Sequence, residues 1–458
     1  MRAFLNSELC ENGAWSPVGH CGHGGADVRN ARVTEIALKR DISVLGATLI
    51  ALNGVIGAGI FATPADLVAG VGAFSPYLFL IFGALMLVVA VVFAELAKLT
   101  DETGGPIIYV SSAFGSFAGL QAGWLLYIAR VTALAANANV LITYAATFAP
   151  GLDEGALRGG ALLALLAAMA GVNVLGVRQA IGALNILTLL KITPLVLLGV
   201  GGLVVFSAHI PPPTAPPSLG ETGGISLLLL YAFVGFEAAT MTAGETKDAK
   251  RNIPHALIGT IIAMTLLYFL IQLSYVAITH GEHIEGAPLA EAARILAGPA
   301  GAIVITLAAL FSIGGNLASS MLSTPRLAFA LAEARSLPAW FGKVEARWAT
   351  PANSILFTGL LAGALALSGA FVWLAVVSSL SRMFVYLLCA GALLALKRRD
   401  GTLAPTAILA ASLAAALCLF AIAQAKTDAW MLLAGLVLMG AALYGLASLK
   451  RRDEVARH

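Results

Sequence analysis

Between Ser75 and Ala94 the chain runs for twenty residues without a charge, and eleven other windows of similar length are nearly as apolar. Such a stretch has few stable solutions. In hydrocarbon every backbone N–H and C=O must be satisfied within the segment, which leaves the helix as the natural form, and about 20 residues of helix cross the ~30 Å of a bilayer core. The windows predict twelve spans at 44–69, 75–96, 117–144, 160–177, 181–206, 224–244, 256–279, 302–331, 354–367, 372–396, 403–422 and 429–449. The composition agrees: 59% of residues are hydrophobic and 11% charged, against roughly 25% charged in a soluble domain. The mean hydropathy is +0.90. A soluble enzyme, a nucleic-acid binder or a disordered scaffold is excluded, because these runs would aggregate outside apolar surroundings. The expected partner is the lipid bilayer, with no nucleic acid.

The net charge of +3 says little, but its distribution is informative. Lysine and arginine gather in loops on the cytoplasmic side. With the N terminus inside, 21 of the 27 basic residues fall on the inner side and three (Arg158, Arg294, Lys426) on the outer. Both termini are therefore expected in the cytoplasm. Residues 1–41 are polar and glycine-rich, lack the apolar core of a signal peptide, and read as a disordered cytosolic tail. Cys10, His20, Cys21 and His23 in that tail match no familiar metal-site spacing, and Cys389 and Cys418 lie in apolar windows. No metal and no cofactor are expected. The proline-rich run 211–217 makes 207–223 an extended outer loop.

Two spans are faulty as continuous helices. The first carries Gly54, Gly57 and Gly59 and then Pro64; the sixth carries Gly235, Glu237 directly after it, and Gly244. Glycine at that density favours local unwinding, although small residues also serve close helix packing. Interrupted segments at corresponding positions, here five spans apart, are the sequence sign of an inverted-repeat transporter with a substrate site near the midplane. The expected organisation is then a first repeat at 42–206, a second at 224–397, two added helices at 398–449 and a cytosolic end at 450–458.

Several motifs resemble the amino acid-polyamine-organocation transporters. They are Gly57-Ala58-Gly59-Ile60-Phe61 with Pro64, having alanine where that family commonly has serine; Thr103-Gly104-Gly105-Pro106 with Tyr109; Gly123-Trp124; and, most specific, Tyr231-Ala232-Phe233-Val234-Gly235-Phe236-Glu237 followed by Glu245-Thr246 and Arg251-Asn252-Ile253-Pro254. The resemblance covers about 42–422. It implies an all-α membrane protein with two inverted five-helix repeats, helices 1 and 6 unwound. It also implies amino acid transport by alternating access, with no catalysis. The substrate carboxylate would meet backbone amides around Gly57, Ala58 and Gly59, at an exposed helix N-terminus. Its ammonium would meet carbonyls of Val55, Ile56, Tyr231 and Val234, beside Gly235. Tyr231 would cover the substrate or simply pack.

Charged residues inside spans are costly and normally face protein or water. Lys191, in the fifth span, resembles a lysine that takes the place of a sodium ion in one branch of the family; the alternatives are proton coupling or a structural ammonium. Glu237 either titrates or holds loose backbone. Arg130 and Arg382 either face an acidic substrate side chain or pair with Asp66, which departs from the small residue the resemblance implies after the proline. Small linings near Ala58 and Val234 favour neutral substrates. No phosphate-binding loop marks an ATPase, so gradients, with the proton as the expected coupling partner, must drive transport. An exchanger, an exporter, and a receptor or pore that binds without coupled transport are the alternatives. The identity of the amino acid and the oligomeric state are not legible in the sequence.

Overall fold

Each apolar window becomes helix, and the first and sixth windows are interrupted within their length, at 56–58 and 232–235. The structure is a computed structural model that describes residues 40–455 except 101, 176–180, 211, 213, 214, 346, 369 and 370, and the side chains of 181–190 and 448–455 are likewise not described. The expected N-terminal tail with Cys10, His20, Cys21 and His23 lies outside the described residues, as do the final three residues of the C-terminal tail.

In order, the helices are α1 (Val44–Val55), α2 (Gly59–Val71), α3 (Ser75–Leu99), α4 (Pro106–Phe114), α5 (Ser116–Ala146), α6 (Gly155–Val174), α7 (Ile181–Val205) and α8 (Leu219–Tyr231). A 3-10 segment (Phe236–Glu245) follows, then α9 (Ala249–Thr279), α10 (Pro288–Glu333), α11 (Ala352–Ser368), α12 (Phe371–Arg399), α13 (Pro405–Ala423) and α14 (Thr427–Val455). Among the described residues nine helical stretches are long and apolar enough to cross a membrane, Val44–Val55 and Ala352–Ser368 are shorter apolar helices, and α7 is apolar over its described part, Lys191–Val205. The protein is thus a polytopic helical membrane protein.

Local chemistry sets several boundaries. Ser43 caps α1 by accepting from the Gly46 N–H at 3.2 Å. Ser218 and Glu221 form a reciprocal capping box that starts α8. Two helical pieces lie outside the predicted windows. The segment before the third span contains a helix, α4, started by Pro106 at a position where a missing N–H costs nothing. Ahead of the eighth span a short helix at 288–296 is separated from it by non-helical backbone at Ala297 and Gly298 (φ +67°), just before Pro299, so the helix of the span itself begins close to the predicted window.

The packing pairs the second span with the seventh, the third with the eighth and tenth, the fourth with the ninth, and the fifth with the eighth. At the α3–α9 crossing, a Cβ on Gly83 would lie 2.2 Å from Thr265 Oγ1, so the two helices approach with no room for a side chain. At the basic end, Glu95 on α3 accepts from Lys98 and from Lys397 on α12, both at 2.5 Å. Ile42 exchanges backbone hydrogen bonds with Glu245 and Lys247 (3.0 and 2.8 Å), which ties the start of the first span to the exit of the sixth.

Candidate functional site

The two helix breaks meet back to back. At the first, Ile56 leaves helical geometry (φ −79°, ψ 86°) and the Gly57 N–H turns back to the Val55 carbonyl at 2.9 Å before α2 begins at Gly59. At the second, α8 ends at Tyr231 and the chain turns through Gly235 at φ +109°, a conformation open to glycine and strained for other residues. A Cβ on Gly54 would sit 2.3 Å from the Gly235 carbonyl oxygen, and one on Gly235 would sit 2.3 Å from the Gly54 carbonyl oxygen. Backbone touches backbone there. After the break the chain winds as a 3-10 segment, in and just after which the Thr240, Thr242 and Thr246 hydroxyls donate to nearby carbonyls of Glu237, Ala239 and Thr242.

A bridge of amides fixes the mouth of α2. Asn137 on α5 accepts from the Ala58 N–H at 3.2 Å and from the Tyr231 hydroxyl at 2.9 Å. Its own Nδ2 donates to Asn316 Oδ1 at 2.8 Å, and Asn316 Nδ2 donates to the Asn53 carbonyl at 2.9 Å. One chain of hydrogen bonds therefore joins the first, third, sixth and eighth spans. The expected anion-facing amides are partly engaged: Gly57 and Ala58 have protein acceptors, while those of Gly59 and Ile60, in the first turn of α2, lack helical acceptors as first-turn amides do. Of the expected carbonyls, that of Val55 accepts from Gly57 and lies 3.5 Å from the Tyr268 hydroxyl.

Between the breaks lies a cavity of about 140 Å³. Val55, Gly57, Ala58, Gly59, Tyr231, Val234 and Gly235 line it, whereas Ile56 is fully buried and does not. Asn137, Asn316 and the serines 319, 320 and 323 also line it, and the sequence reading passed them over. Their signal was available, since amides inside apolar spans (Asn137 and Asn139 in the third, Asn316 after Gly314-Gly315) are as foreign to hydrocarbon as charges.

The buried charges are sorted by geometry. Glu237, 1% exposed, accepts from Arg382 Nε at 3.2 Å, from the Tyr386 hydroxyl at 2.8 Å and from the Gly235 N–H at 2.8 Å. The ring of Tyr386, which donates to Glu237, packs with those of Phe93 and Phe236 at centroid distances of 5.1–5.7 Å. Arg382 also donates to Ser378 Oγ and the Ala129 carbonyl. Arg382 thus pairs with Glu237 rather than with Asp66, because α12 presents it to the sixth-span break. Asp66 is half-buried beyond the break, on the helix whose Ala65 carbonyl lies 3.1 Å from His283 Nδ1. Arg130 lines the cavity, donating to Ser323 Oγ at 3.2 Å and to Met241 Sδ at 2.9 Å. Lys191, 3% exposed, borders a separate small space with Asn53, Ser312, Gly315, Asn316 and Ser319.

Comparison with known proteins gives a consistent picture. The amino acid permease family profile matches residues 42–440. A D-serine/D-alanine/glycine transporter of Escherichia coli (strain K12) is 27% identical over 77% of this chain and 79% of its own length. A serine/threonine exchanger of Bacillus subtilis (strain 168) is 27% identical over 66% of this chain and 70% of its own. An arginine/ornithine antiporter of Lactococcus lactis is 25% identical over 70% and 71%. A match that runs from before the first helix break into the last apolar helix places this chain in the amino acid permease family, among multi-pass membrane transporters rather than enzymes.

Proposed function

We propose that this protein is a secondary active transporter that moves amino acids across the cytoplasmic membrane by alternating access, with a proton as coupling ion. The observation that carries the reading is the cavity between two broken helices, lined by Asn137, Asn316 and three serines beside apolar groups, with backbone amides at the start of α2 on one side and the turn after Tyr231 on the other. An amino acid offers a carboxylate and an ammonium, and a helix N-terminus and freed carbonyls are the complementary pair. At about 140 Å³ the space is well below the roughly 300–1,000 Å³ of pockets for drug-sized ligands, which suits a small substrate. The cross-packing of the second with the seventh span, and of the third with the eighth, supports two repeats within twelve spans. The basic inner loops support cytoplasmic termini.

Lys191 is the proposed coupling residue, because it shares its small space with Asn53, one turn before the first break, and with Asn316 of the amide bridge. A charged ammonium and a neutral amine would stabilise that junction differently, and differential proton affinity between two conformations is what coupling requires. Glu237, held by three donors, is assigned to fixing the sixth-span break.

The test is counterflow of labelled alanine into proteoliposomes, then uptake with and without a pH gradient at fixed membrane potential. Acceleration by internal alanine is expected from the parent, and its absence would point to a receptor. Lys191→Met should still bind alanine and lose stimulation by an inward proton gradient. Lys191→Arg should also uncouple, since guanidinium stays charged. A methionine variant that responds to the gradient like the parent would make Lys191 structural.

A further inference from the structure

The cavity between the helix breaks contains an unbalanced charge. Three charged side chains line it, Arg130, Glu237 and Arg382. Arg382 and Glu237 neutralise one another across 3.2 Å. Arg130 has no carboxylate within ion-pair distance among the described residues, and its two hydrogen bonds go to a hydroxyl and to a thioether, a weak acceptor. A guanidinium carries five N–H donors in a rigid fork, so at least three have no acceptor among the described residues, in a site walled by membrane helices. A zwitterionic amino acid adds no net charge to this cavity. One with an acidic side chain adds the missing negative charge.

The placement fits that chemistry. Arg130, Ala133 and Asn137 follow one another at i, i+3 and i+7 on α5, and all three line the cavity. They form one stripe, with Asn137 at the level of the break, where it holds the Ala58 amide, and Arg130 about 10 Å further along the helix axis. Ala133, between them on the stripe, carries only a methyl group and lines the same cavity. Ser323, Arg130's oxygen partner, donates its own proton to the Ser319 carbonyl at 3.0 Å, so its lone pairs face the arginine and hold the fork in place.

We infer that Arg130 is a specificity-determining residue that receives the side-chain carboxylate of an acidic amino acid while the backbone groups at the breaks hold its α-carboxylate and α-ammonium. This rests on the amino acid reading of the site and reverses the preference for neutral substrates that the small residues near Ala58 and Val234 suggest. A carboxylate accepts two parallel N–H bonds from the fork, whereas the isosteric amide of glutamine brings an NH2 group against N–H donors.

The experiment compares glutamate, glutamine and alanine on the purified protein, by ligand-induced shifts in thermal unfolding and by competition against labelled alanine. Glutamate should bind at least about tenfold more tightly than glutamine. In Arg130→Met the glutamate-to-glutamine affinity ratio should fall at least about tenfold, and Arg130→Lys, which keeps the charge without the fork, should retain an intermediate ratio. Binding of glutamine as tight as that of glutamate, with alanine also bound, overturns this inference and leaves the amino acid site standing. Failure of all three ligands to bind overturns both. If Arg130→Met does not fold, the comparison of glutamate with glutamine on the parent protein decides the question by itself.

Discussion

Replacing Glu237 with glutamine removes one negative charge and keeps the side chain's size, so it isolates what the buried pair with Arg382 contributes. The carboxylate faces three donors, Arg382 Nε at 3.2 Å, the Tyr386 hydroxyl at 2.8 Å and the Gly235 N–H at 2.8 Å. A glutamine oxygen can accept from two of them, and its NH2 must then meet the third. Arg382, 6% exposed, would be left with only neutral partners at Ser378 and Ala129. Removing one partner of a buried pair costs about 3–5 kcal/mol, a large share of a typical folding stability of about 5–15 kcal/mol. Adding Arg382→Met to Glu237→Gln removes the orphaned cation and should recover at least about 2 kcal/mol, since contacting residues couple by up to about 3 kcal/mol. Unfolding can be followed in mixed micelles of rising denaturing-detergent fraction by pulse labelling of the buried thiols Cys389 and Cys418, with Cys10 and Cys21 changed to serine. A single variant within about 1 kcal/mol of the parent, or a double variant no more stable than the single, would refute the structural assignment of Glu237.

Other perturbations test separate links. Gly54→Ala places a methyl 2.3 Å from the Gly235 carbonyl oxygen, and because both are backbone neither can yield cheaply, so amino acid binding and thermal stability should both fall; a variant that binds like the parent would show that the breaks do not need to touch. Asn137→Ala leaves the Ala58 amide and the Tyr231 hydroxyl without their shared acceptor, a loss of about 1–3 kcal/mol, and should weaken binding about tenfold or more in the same thermal-shift assay. Cysteine at Thr427 should react with an impermeant thiol reagent in intact cells and cysteine at Asp400, beside the basic end of α12, should not; labelling at Asp400 would reverse the orientation.

Much of the architecture is legible in the sequence because hydrocarbon leaves so little choice. An uncharged window such as 75–94 must close its own backbone hydrogen bonds, so windows predicted at 75–96, 354–367 and 403–422 fall within a few residues of helices at Ser75–Leu99, Ala352–Ser368 and Pro405–Ala423. The breaks were legible for a related reason, since glycine at 54, 57 and 59 in one span and at 235 in the other weakens a helix, while Pro64 falls inside the resumed helix α2. What the sequence could not supply is which distant side chains meet. Arg382 and Glu237 are 145 residues apart, and Asn137 and Asn316 are 179 apart, so no local period links them. Only the crossing of α5, α10 and α12 around the two breaks decides that Glu237 pairs with Arg382, that Asn137 holds the mouth of α2, and that Arg130 lines the cavity with no carboxylate at ion-pair distance among the described residues. Backbone satisfaction is a property of a segment and can be read along the chain; charge compensation is a property of neighbours in space and cannot.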